Sequence, residues 1–96
     1  VGSAKLKLTV YGWGDWVKIG EAVAVRIEEL CGQNGITINR LGTISGVTQS
    51  TLNNIVGGTS KNPTVSTIKK ICDGLNITMV EFFNAPVFRN LEQEIV

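Results

Sequence analysis

The chain has 96 residues, a formal net charge of +1, 43% hydrophobic and 18% charged residues. That balance describes one globular domain able to bury its own core, and it excludes a disordered chain. No apolar run reaches the roughly 20 residues of a membrane span. With no histidine and only Cys31 and Cys72, neither a disulfide framework nor a zinc site is expected.

The first residues read differently from the rest. Lys5 to Tyr11 alternates polar and apolar side chains, the period of a strand, and Gly12-Trp-Gly-Asp15 is turn chemistry. Trp16 to Ile19 could pair back on that strand, although a lone hairpin is marginal in water. Three readings of residues 1–16 stay open. They are a docked hairpin that widens a dimer interface, an arm whose Lys5 and Lys7 reach DNA, or a leader outside the folded protein. The leader reading notes that Gly12 to Asp15 requires a guanine-rich coding stretch at a start-like distance before Val17. Lys5 and Lys7 also interrupt any signal-peptide core, so a cytoplasmic chain is expected.

From about Gly20 the period becomes helical. Val23, Ile27 and Leu30 form one stripe, Ala24 and Cys31 lie beside it, and Arg26, Glu28 and Glu29 are placed outside. Gly32 and Gly35 are expected to end this helix. Thr37 can cap a second helix through Leu41 and Ile44 that stops at Gly46. Thr48 can cap a third, over residues 48–56, ending at Gly57-Gly58. After a loop at Lys61-Asn-Pro63, a fourth helix starts at Pro63 or Thr64. It carries Val65, Ile68, Cys72 and Leu75 on one face, and Gly74 closes it. Thr78 and Glu81 form a capping box for a short fifth helix that buries Phe82 and Phe83. Beyond Pro86, Phe88, Leu91 and Ile95 are spaced for a sixth helix. The fold expected is all-α. Cys31 and Cys72 fall in apolar stripes and read as buried, reduced thiols.

Charge is segregated along the chain. Between Glu29 and Asp73 there is no acidic residue, yet Arg40, Lys61, Lys69 and Lys70 lie in that window. A nearly neutral protein that removes its carboxylates from one stretch presents that stretch to an anion. The window contains two helices joined at Gly46, where a turn needs a positive φ. Gly42 stands where the two helices would approach closely, and Leu41, Val47, Leu52 and Ile55 supply the apolar contacts between them.

At roughly 100° per residue, Gln49, Ser50, Asn53 and Asn54 share one arc of the third helix, with Leu52 and Ile55 nearly opposite. The arc hydrogen-bonds but carries no charge. A solvated face would more often mix Lys and Glu, and Asn and Ser are poor helix formers. Glutamine and asparagine pair with adenine in the major groove, and serine accepts several bases.

These residues resemble the Cro/C1-type (XRE) helix–turn–helix family of repressors. The resemblance rests on Arg26-Ile-x-Glu-Leu30, Gly35-Ile-Thr37, Leu41-Gly42, Ser45-Gly-Val-Thr-Gln-Ser50, Leu52, Ile55 and the Gly58…Lys61-x-Pro63 loop. Leu75-Asn-Ile77 and Glu81-Phe-Phe83 continue it, so it spans roughly Ile19 to Asn84. It implies a five-helix, lambda-repressor-like DNA-binding domain over residues 19–84. Residues 1–18 are then an extension and residues 85–96 a C-terminal segment able to dimerise, with Glu92 and Glu94 beside Leu91 and Ile95. By position, the resemblance implies base contacts from Gln49, Ser50, Asn53 and Asn54. It implies phosphate contacts from Thr37, Thr48, Thr59, Ser60, Lys61 and Asn62.

The chain departs from the family pattern in two places. Ile38 opens the second helix where the family often has a phosphate-binding glutamine, and the third helix has no Arg or Lys to pair with guanine. A preference for A·T-containing sites follows. The function expected is a double-stranded DNA-binding transcriptional regulator, a repressor, working as a homodimer on inverted-repeat half-sites. The alternative is an antitoxin or another protein-interaction module that uses the helical domain as a scaffold. Catalysis has no support, because Ser45 and Ser50 have no base nearby and no phosphate-cradling glycine loop exists. No cofactor or metal is expected.

Overall fold

The computed structural model describes residues 16–60 and 62–95; the strand and turn expected before Trp16, and Lys61, lie outside them. Five α-helices follow in order: α1 Ile19–Asn34, α2 Ile38–Ser45, α3 Gln49–Val56, α4 Val65–Leu75 and α5 Met79–Phe83. The architecture is the all-α, lambda-repressor-like one.

Threonine sets most of the helix starts. The side chains of Thr37, Thr48, Thr64 and Thr78 accept from the backbone N–H groups of Arg40, Thr51, Thr67 and Glu81, satisfying one orphan donor at each N-terminus. At α5 the Glu81 carboxylate returns the bond to Thr78 N at 2.8 Å, completing the expected capping box. Gly46 ends α2 in the left-handed conformation at φ 70°.

Helix α1 ends at a left-handed Gly35, one of the two glycines expected there, with Gly32 still inside the helix; the end of α4 differs from expectation. Gly74 lies inside α4, and Asn76 ends that helix at φ 58°. Asparagine tolerates the left-handed region, so glycine is not required at the cap. Gly74 answers a different demand: a Cβ there would lie 2.9 Å from both Cα and Cβ of Ser45. The side chain is missing so that α4 can cross α2, its most extensive helix partner.

The core gathers Val23, Ile27, Leu30 and Cys31 of α1, Leu41, Val47, Leu52 and Ile55 of the α2–α3 pair, and Ile68, Ile71, Cys72 and Phe82. Both cysteines are free and buried, as expected, and burial raises each thiol pKa above its ordinary value. Cys72 Sγ lies 3.6 Å from Met79 Sδ. On α4, Ile68 and Cys72 are buried and Leu75 half-buried as expected, and Ile71 joins them, whereas Val65, in the exposed first turn, is 72% accessible. Phe82 is fully buried, but Phe83 is 37% exposed, its ring tilted against that of Phe88 with centroids 4.9 Å apart.

Arg26 overturns its placement outside the α1 stripe. It is 8% exposed, and its Nε donates to Phe82 O at 2.6 Å while Nη2 donates to Glu81 O at 2.8 Å. Its Nη1 pairs with Glu29 at 2.7 Å. A five-residue helix has little stability alone, and this guanidinium from α1 binds its last carbonyls.

The sixth helix is reduced to a 3-10 turn, Pro86–Arg89, and Leu91 and Ile95 do not extend it. Leu91 instead forms a parallel bridge with Val17, held by Val17 N to Asn90 O at 3.2 Å and Glu92 N to Val17 O at 2.9 Å. Trp16 to Lys18 therefore lead in beside the C-terminal segment, and Ile19 is already helical. Ala22, Ala85 and Val87 form a second small core under this junction.

Candidate nucleic-acid interface

The helix–turn–helix is α2 and α3 around Gly46. Leu41, Val47, Leu52 and Ile55 are all buried between the pair and α1, as their spacing requires. Gly46 N and Val47 N both donate to Gly42 O, at 3.0 and 3.2 Å, which closes the turn. Gly42 has no room for a side chain: a Cβ there would stand 3.0 Å from Val47 O and overlap the Gln49 amide. Close approach at residue 42 is thus between α2 and the start of α3.

On α3, Ser50, Asn53 and Asn54 are exposed together, opposite the buried Leu52 and Ile55. Gln49, at the edge of the same arc, is half-buried, and its Nε2 donates to Asn39 O of α2 at 3.1 Å. The helix end is bound back to the following loop. Gly57 N donates to Asn53 O and Ser60 N to Asn54 O, each at 2.8 Å, which brings Ser60 to the C-terminal end of the arc. Thr59 and Asn62 are exposed on that loop, on either side of Ser60 and the undescribed Lys61.

Thr37 and Thr48 are exposed at the N-termini of α2 and α3. Thr48 donates its hydroxyl to Thr51 Oγ1 at 2.8 Å, while Thr37 accepts from Arg40 N at 3.1 Å and keeps its hydroxyl proton for another acceptor. Uncapped N–H groups at the start of α2 add a partial positive charge to the exposed Arg40. Of the window's other cations, Lys69 pairs with Asp73 on α4, and that partner raises its pKa. Lys70 is exposed on the same helix.

Two features of this surface were missed in the sequence. One is the seating of Gln49 against α2, and the other is Arg40, which is exposed as a cation beside the α2 N-terminus. Arg40 was legible as a charge in the acid-free window but not as a position.

Residues 26–86 match the model of the Cro/C1-type HTH DNA-binding domain. The chain belongs to this family. It is a helix–turn–helix protein of the DNA-binding, transcription-regulator kind. Its structure is similar to that of prophage Lp1 protein 11, with 40% identity, a TM-score of 0.69, and coverage of 78% of this chain and 99% of that one. It also resembles an HTH_3 family transcriptional regulator from Vibrio cholerae, with 29% identity and a TM-score of 0.63. That match covers 70% of this chain but 38% of the longer regulator. The restriction-modification controller protein C.Esp1396I shares the fold, at 21% identity and a TM-score of 0.66 over 78% of this chain and 95% of its own. No curated protein matches the sequence. Among the described residues, no helix is long and apolar enough to cross a membrane.

Proposed function

We propose that this protein is a sequence-specific transcriptional repressor that inserts α3 into the major groove of double-stranded DNA. The observation that carries the reading is the exposed, uncharged arc of Ser50, Asn53 and Asn54 on a family-defining helix–turn–helix. Asparagine pairs with adenine through both amide atoms, and serine accommodates several bases. Phosphates would be held by Thr37, Arg40 and the α2 N-terminus on one side. Thr48, Thr59, Ser60, Lys61 and Asn62 would hold them on the other. Repression requires only that the bound protein occlude a promoter, and the family match together with the similar transcriptional regulator supports a role in transcription. Such a protein acts in the cytoplasm, where bacterial and phage DNA is accessible.

One α3 spans only a few base pairs, so specificity calls for a homodimer on inverted repeats with centres about 10 bp apart or a multiple of that. Leu91, assigned to dimerisation by sequence, packs within its own domain. Ile95, 85% exposed in the same segment, is still free to meet a symmetry mate, and Val80, 78% exposed, and Phe83 on α5 offer further apolar surface. The test is selection of bound duplexes from a random library, and enrichment of an inverted repeat is expected. A library that returns no shared sequence would sink the proposal. On the selected operator, Asn54→Ala loses about 1–3 kcal/mol, with little loss on random DNA. Equal losses on both would show that the reading arc is misassigned.

Salt dependence separates this reading from a protein-interaction role. With Arg40 and Lys61 as the phosphate-facing cations of each half-site, log K falls with log salt at a slope of about −3 to −4 for a dimer. Lys61→Ala flattens that slope by about one unit per half-site. Affinity that ignores salt would instead indicate apolar association.

A further inference from the structure

Gln49 heads the reading helix, yet its amide faces the protein. Nε2 donates to Asn39 O at 3.1 Å, and Oε1 is buried with no hydrogen-bond partner among the described residues. The seat exists because residue 42 is glycine: a Cβ there would overlap Nε2 and lie 3.3 Å from Cδ. Glutamine recognises adenine with both amide atoms at once, the oxygen accepting from N6 and the nitrogen donating to N7. In the seated amide, a main-chain carbonyl engages the nitrogen and protein surrounds the oxygen. Neither atom is presented to a base.

We infer that Gln49 is a positioning residue that ties the first turn of α3 to α2, and that base discrimination falls to Ser50, Asn53 and Asn54. The inference rests on the proposed reading of DNA by α3. The tie lies at the margin between the exposed arc and the buried Leu52 and Ile55 face, so together with that packing it fixes the rotation of α3 about its own axis. That rotation sets where the three exposed side chains point relative to the phosphate-holding end of α2. The hydrogen bond to Asn39 O is offset by the unpaired Oε1, since a buried acceptor without a donor costs about as much as one bond contributes. Geometry rather than stability is therefore what the seat supplies, and the two have different readouts.

Gln49→Met fills the Gly42 notch without a donor, and Gln49→Glu keeps the length but cannot donate to Asn39 O. Both are measured as the full chain, well below the melting temperature, on the selected operator and on its single-base-pair variants. Each variant melts within a few degrees of the parent but loses about tenfold on the operator, roughly one hydrogen bond's worth of alignment. Discrimination falls together at every base pair read by the half-site. Loss of discrimination at one base pair with the rest intact would make Gln49 a base-reading residue and overturn the inference. Unchanged affinity and discrimination in the folded variants would overturn it too, by showing that the seat positions nothing.

A DNA-free measurement reads the seat itself. The side-chain amide protons of Gln49 exchange more slowly than those of the exposed Gln33 and Gln93, and Gly42→Ala abolishes the difference. Equal exchange in the parent would show an empty seat and overturn the inference. Failure of the DNA-binding reading is distinguishable from these results, because the parent itself would then discriminate no sequence.

Discussion

Arg26→Ala lowers stability by about 3 kcal/mol, as much as truncating a buried core side chain. The guanidinium is the donor for two carbonyls at the end of α5, Glu81 O and Phe82 O, and the partner of Glu29. Alanine leaves Phe82 O without its donor, at about 1–3 kcal/mol, leaves Glu81 O with only the long bond from Asn84 N at 3.4 Å, and removes the pair with Glu29. Water can reach part of the site, because Glu81 and Phe83 are exposed, and this holds the total toward the lower end of the combined range. For a domain of this size the loss corresponds to a fall in melting temperature of more than about 10 °C. Arg26→Lys recovers only part of it, since one ammonium cannot span the fork that three separate acceptors require. Thermal unfolding followed by circular dichroism checks this. A variant melting within 2–3 °C of the parent would show that α5 is held by Phe82 packing alone.

The same residue shows where sequence stops being informative. On a helical wheel Arg26 stands at the edge of the Val23, Ile27 and Leu30 stripe, and the general rule sends a charged side chain outward. Its partners lie 55 and 56 positions along the chain, so nothing local announces them. By contrast, the starts of α2, α3, α4 and α5 were legible because each cap is a bond between a threonine and a backbone N–H three residues later. Helix ends were less so. Gly74 and Asn76 are both competent left-handed caps, and the choice between them was made by the approach of Ser45 on another helix. The reading arc followed the same division. Asn53 and Ser50 lie near its centre and Asn54 at its far edge, all exposed as the wheel requires. Gln49 lies at its margin, where a notch at Gly42 decided its direction. The C-terminal apolar spacing was real, but Leu91 spends it on a bridge to Val17 rather than on a sixth helix.

Gly74→Leu destabilises the fold by about 2–3 kcal/mol and takes the DNA-binding geometry with it. Helix propensity alone would predict the opposite, because leucine in a helix interior is favoured over glycine by most of a kilocalorie per mole. The first atom of the new side chain settles the sign. A Cβ at residue 74 would lie 2.9 Å from Ser45 Cα and 3.1 Å from Ile44 C, against backbone that cannot rotate away. The strain of overpacking, typically 1–3 kcal/mol, outweighs the propensity gain, and the remaining leucine atoms have to push α4 off α2. Ser45 is the last residue of α2 before the Gly46 turn, so a shift there moves the hinge from which α3 is presented. Operator affinity therefore falls further than the loss of folded protein explains, measured at a temperature where the variant is still folded. Gly32→Ala is the matched control. A Cβ at that α1 position meets nothing within 4 Å, so only the propensity effect remains, and stability rises by about 0.5–1 kcal/mol. If Gly74→Leu melted like Gly32→Ala, the two helices would not cross at residue 74, and the placement of α3 by α4 through α2 would have to be abandoned.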